Sequence, residues 1–94
     1  MRGLIWSNAF SRSLKKCIGR KPDLHSDVAE VLRLLVLDPF DSKLETHKLK
    51  GKLSGSWACS VGYDFRIVFD FVNEEKGKKD DILLLSIGTH DEVY

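Results

Sequence analysis

Two β-forming runs, Trp57-Ala58-Cys59-Ser60-Val61 and Phe65-Arg66-Ile67-Val68-Phe69-Asp70-Phe71, stand either side of Gly62-Tyr63-Asp64. Aromatic and β-branched runs flanking a short glycine-bearing turn fold back on each other as antiparallel strands. A third run, Ile82-Leu83-Leu84-Leu85-Ser86-Ile87, is apolar almost throughout, which fits a central strand covered on both faces. A sheet built from these runs needs a covering layer, and the N-terminal half supplies one. Phe10, Leu14, Cys17 and Ile18 recur at helical spacing behind a cap at Ser7 or Asn8, with a stop expected near Gly19. Leu24, Val28, Val31, Leu32, Leu35 and Val36 repeat the pattern after Pro22 and end at Asp38-Pro39. Leu4-Ile5-Trp6 reads as a leading strand. The order β-α-α-β-β-β predicts an α+β domain, with a helix hairpin packed on one face of a mostly antiparallel sheet of about four strands.

A chain of 94 residues has surface enough for one small core, so residues 1–94 are expected to form a single domain. Being 43% hydrophobic and 31% charged, it should be an ordered globule. No apolar run approaches the roughly 20 residues of a membrane span, and MRGLIWSNAF lacks the pattern of a secretory signal, so a cytoplasmic protein is expected. Cys17 and Cys59 show no metal-ligand spacing and read as reduced packing thiols; no metal or other cofactor is expected. The net charge of +1 excludes binding to nucleic acid by bulk attraction, so any such contact must come from local charge.

Local charge is concentrated in Leu44–Phe71. Its opening, His47-Lys48-Leu49-Lys50-Gly51-Lys52, would place Lys48, Lys50 and Lys52 on one side of an extended segment, a short cationic ladder beside an imidazole. The polar run Asn73–Asp80, with Lys76, Lys78 and Lys79, reads as a solvated loop. Imidazoles at His47 and His90, a carboxylate at Asp64 and the guanidinium of Arg66 all fall at strand ends or beside them. RNA cleavage through the 2′-hydroxyl needs such a set: a base, an acid and positive donors for the phosphorane. Arg66 suits a phosphate held bidentately, and Tyr94 suits stacking on a base or donation through its hydroxyl. Each residue also has a plain structural place: His47 on the surface, Asp64 in the turn, Arg66 facing solvent, Tyr94 packing its ring. His25 belongs to the surface of the second helix.

The motifs L-x-T-H-K-L-K-G at Leu44–Gly51, G-S-W at Gly55–Trp57, G-Y-D-F-R-I-V-F at Gly62–Phe69 and I-G-T-H-D-E-V-Y at Ile87–Tyr94 resemble the RelE/ParE superfamily of bacterial type II toxins, in its YafQ-like branch. The resemblance spans nearly the whole chain. It implies a ribosome-dependent mRNA endonuclease acting at the A site and neutralised by a cognate antitoxin in a hetero-oligomeric complex. It implies catalytic roles for His47, Asp64, His90 and Tyr94, with Arg66 assisting and Lys48, Lys50 and Lys52 binding RNA. His90 is expected to act in proton transfer. A further histidine of that pattern falls near Ser60, where this chain carries serine, so Arg66 and the lysines are expected to supply the charge. Two other readings share the fold: a ParE-like toxin that inhibits DNA gyrase without acid/base residues, and a degenerate module that only binds antitoxin.

Overall fold

The first helix begins where Ser7 stops being strand: its Oγ accepts the Phe10 N–H at 3.0 Å and caps the helix. The computed structural model describes residues 2–51, 55–72 and 80–93. In chain order the elements are β1 (Leu4–Trp6), α1 (Asn8–Arg20), α2 (Leu24–Leu37), a 3₁₀ turn (Ser42–Leu44), β2 (His47–Lys48), β3 (Trp57–Val61), β4 (Phe65–Val72), β5 (Asp81–Thr89) and α3 (His90–Val93). The strands form one sheet in the order β1-β5-β4-β3-β2, in which only the β1–β5 pairing is parallel. The expected α+β arrangement is present, with five strands among the described residues where about four were expected; the added strand is the two-residue β2 at the edge.

Side chains alternate across a strand, so the sheet has two unlike faces. Cys59, Val61, Phe65, Ile67, Phe69, Ile82, Leu84 and Ile87 turn to the helices and pack with Phe10, Cys17, Leu24, Val28, Val31 and Leu35. The opposite face carries a much smaller cluster, Leu49, Ala58 and Val68, with Leu85 and Val93 against it. Leu83 and Leu85 are therefore only half-buried, and among the described residues the double covering expected of Ile82–Ile87 is absent. Between the pairs Val68–Ser86 and Phe69–Leu84, Leu85 is an extra residue on β5, a β-bulge that interrupts the ladder.

Gly19 is not the αL stop that its position suggested. Helix α1 runs on to Arg20, and Lys21, at φ −141°, sends its N–H back to the Cys17 carbonyl. Both thiols are free and buried. Burial pushes the Cys59 thiol up to about 12, so it stays protonated and unreactive in the core. Among the described residues no helix is long and apolar enough to cross a membrane.

Candidate active site

The turn between β3 and β4 builds one wall of the site. Gly62, at φ 59°, adopts the left-handed conformation that a side chain would resist, and this lets the chain reverse through Tyr63 and Asp64. Arg66 braces that turn: its Nη1 donates to the Tyr63 carbonyl at 3.1 Å and to the Phe65 carbonyl at 2.8 Å. The β4–β5 register sets Phe65 opposite Thr89, and so brings the end of β5 beside the turn. There the His90 N–H donates to the Asp64 carbonyl at 3.2 Å.

A local sequence signal fixes His90. Thr89-His90-Asp91-Glu92 is a capping box: the Thr89 N–H donates to Glu92 Oε1 at 3.0 Å, and the Glu92 N–H donates to Thr89 Oγ1 at 3.3 Å. Arg20, at the end of α1, holds the same carboxylate at 3.2 Å and ties α3 to the helical layer. Gly88 makes room for α3, since a Cβ there would sit 3.1 Å from Glu92 Cβ and 3.2 Å from Val93 Cγ1. The Thr89 N–H and hydroxyl, and then Arg20, hold the Glu92 carboxyl below its ordinary value of 4.5. A lowered folded value means that the box stabilises fully above the ordinary carboxylate range and is lost as pH falls through the folded value. Protection of the Thr89 amide from hydrogen exchange is thus expected to be steady above about pH 5 and to fall on further acidification. A protection factor that does not change down to pH 3 would contradict the box.

Turn, strand end and α1 terminus enclose a cleft of about 690 Å³ bordered by Lys21, Glu45, Tyr63, Asp64, Arg66 and His90. Three residues predicted for the site, Asp64, Arg66 and His90, therefore share one cleft. Asp91 Oδ1 lies 3.6 Å from His90 Nδ1. Lys21 was not anticipated; its ammonium lies 5.9 Å from the centre of the Phe65 ring, on the side of the cleft formed by α1. Glu45 occupies the left-handed region at φ 51°, alone among the described non-glycine residues.

His47 is outside the cleft lining. Its partner across the ladder is Ala58, which in turn faces Val68, so His47 shares the open face with Arg66 and Ser60. Two strand spacings and two residues separate His47 from Arg66, roughly 12 Å between Cα atoms. Its Nδ1 lies 3.0 Å from the Glu45 carbonyl. Lys48 turns the other way, with its ammonium 5.9 Å from the Trp57 ring centre on the helix-covered face. The expected three-lysine ladder is not one strand: β2 ends at Lys48, and Gly51 bends the backbone at φ 74°. Lys50 is exposed beyond β2, while Lys52 and Tyr94 lie outside the described residues. Ser60, near which the resemblance implied a further histidine, is directly opposite Arg66 and only 8% exposed. Among the described residues no three His, Cys, Asp or Glu side chains are grouped to hold a metal ion.

Comparison with known proteins places this chain among toxins. A family model described as a bacterial toxin of type II toxin–antitoxin system, YafQ, matches residues 2–94. Among curated proteins, none matches the sequence. The crystal structure of YafQ from Escherichia coli BL21(DE3) superposes with a TM-score of 0.78 at 18% identity, covering 100% of this chain and 99% of that one. The E. coli DinJ-YafQ complex gives 0.76 at 18% identity, again over 100% and 99%. A YoeB/ParE toxin from Agrobacterium tumefaciens gives 0.74 at 15% identity, over 94% and 98%.

Proposed function

The chain belongs to the YafQ family of bacterial toxins of type II toxin–antitoxin systems, and from that premise we propose that it is an endoribonuclease that cuts messenger RNA on the ribosome. The observation that carries the reading is the meeting of Asp64, Arg66, His90 and Lys21 at one cleft. An ionised carboxylate is acceptor-only, so Asp64 takes the proton of the 2′-hydroxyl. The 2′-oxygen attacks phosphorus, the bond from phosphorus to the 5′-oxygen breaks, and His90 gives that oxygen its proton. The products are a 2′,3′-cyclic phosphate and a free 5′-hydroxyl. Lys21 and Arg66 face the phosphorane, whose charge grows as the bonds exchange. Part of Arg66 is committed to its own turn, which leaves Nε and Nη2 for phosphate.

His47, Lys48 and Lys50 contact the RNA backbone outside the cleft, Lys52 adds its charge to RNA binding, and Tyr94 orders the substrate. A cognate antitoxin keeps the toxin inactive in a hetero-oligomer, in keeping with the DinJ-YafQ complex of the E. coli relative. Expression without antitoxin tests the reading: messages cut inside reading frames are expected. Gyrase-linked DNA damage with intact messages would instead assign the chain a ParE-like action. Lys21→Ala is expected to weaken RNA binding and to reduce the slope of log affinity against log salt by about 1. An unchanged slope would remove Lys21 from the phosphate path.

A further inference from the structure

We propose that Tyr63 is a base-stacking residue that takes the flat face of an unpaired RNA base next to the phosphate held in the cleft. The proposal rests on the ribonuclease reading and adds to it a contact that selects for single-stranded RNA. Tyr63 is 93% exposed, far more than any other large hydrophobic side chain described. The other exposed aromatics have ring partners: Trp6 lies 5.0 Å from Phe10, and Phe40 lies 5.4 Å from Trp57 and 5.8 Å from Phe71. Tyr63 has none among the described residues, so both faces of its ring are available.

An aromatic ring left in water forgoes its burial energy, and the backbone beneath this one is anchored. The Tyr63 carbonyl accepts from Arg66 at 3.1 Å, the Asp64 carbonyl accepts from His90 at 3.2 Å, and Gly62 sets the turn. A ring carried on a fixed turn loses little freedom on binding, which favours a flat, rigid ligand. The residues beside it select the ligand further. Tyr63 precedes Asp64 directly and borders the same cleft as Lys21 and Arg66, so an aromatic face and two cations lie around one opening. Aromatic faces next to fixed cations are the pairing by which proteins hold single-stranded nucleic acid, the base on the ring and the phosphate on the charge.

Affinity for a short RNA that cannot be cleaved tests this, with a 2′-O-methyl tetranucleotide as probe and fluorescence anisotropy at several salt concentrations as readout. Tyr63→Ala is expected to weaken binding about tenfold or more with the salt slope unchanged, because stacking involves no counterion release. Tyr63→Phe, which keeps the ring, is expected to bind within about twofold of the native protein. Tyr63 is exposed, so neither variant should disturb folding. Native affinity in Tyr63→Ala, equal losses in both variants, or no tetranucleotide binding by the native protein would each overturn the proposal. So would a Tyr63→Ala variant that binds RNA normally and loses antitoxin, since the ring would then belong to a protein contact. Failure of the two readings is distinguishable. A stacking loss in a protein that cuts no message removes the nuclease and leaves the stack; native tetranucleotide affinity in Tyr63→Ala beside His90-dependent cleavage does the reverse.

Discussion

Replacing His90 by Ala is expected to slow message cleavage on the order of a hundredfold or more, the usual loss when a positioned proton donor is removed. The expectation follows from how firmly the residue is placed. His90 opens α3, its N–H is bound to the Asp64 carbonyl, and the Thr89–Glu92 box on either side is itself tied to Arg20. Its side chain is exposed and outside both hydrophobic clusters, so the variant should keep the native fold. A rate that stays within a few-fold of native, with folding intact, would take His90 out of the mechanism. Loss of activity together with loss of the folded state would leave the comparison to His90→Gln, which keeps the size and a hydrogen-bonding amide but cannot transfer a proton at neutral pH.

Phe69→Ala is expected to cost the most stability of any single truncation in the sheet. Phe69 is fully buried at the middle of β4, directly after the bulge, where its ring meets Phe71 at 5.4 Å and lies in the cluster with Phe10, Leu35 and Leu84. Removing a buried phenyl ring costs about 3–5 kcal/mol when the surrounding core cannot close on the space. Domains of this size hold roughly 5–14 kcal/mol in total, so the variant should lose about a fifth or more of its stability. Urea unfolding followed by tryptophan fluorescence measures it. A loss under about 1 kcal/mol would show that the core collapses around the site, or that β4 is less central than its place in the sheet implies.

Much of the fold was legible because its signals are periodic. The stripes of α1 and α2 and the strand runs of β3, β4 and β5 announce themselves within single segments. The parallel pairing of β1 with β5 could not be read, because it joins Leu4 to Ile82 across nearly the whole chain and leaves no local mark. Helix α3 was missed for the opposite reason: four residues are too few for a stripe, although T-x-x-E at Thr89–Glu92 was a usable capping signal. In the site, Asp64 and His90 were both named from sequence, but only the Phe65–Thr89 register explains why they meet. Lys21 and Tyr63 were passed over since a lysine after a helix and a tyrosine in a turn look ordinary until packing sets them on one rim. His47 was expected in the same group, and its place on the edge strand follows from the pairing with Ala58, which alternation alone does not reveal.

The most direct measurement uses a message carrying a single 2′-deoxy nucleotide at the cleaved position, presented on ribosomes to the purified toxin. Attack by the 2′-oxygen predicts that cutting at that position stops, while the all-ribose message is cut there and leaves a 2′,3′-cyclic phosphate. Cleavage of the deoxy message at the native rate would contradict the account, as would messages left whole while translation stops.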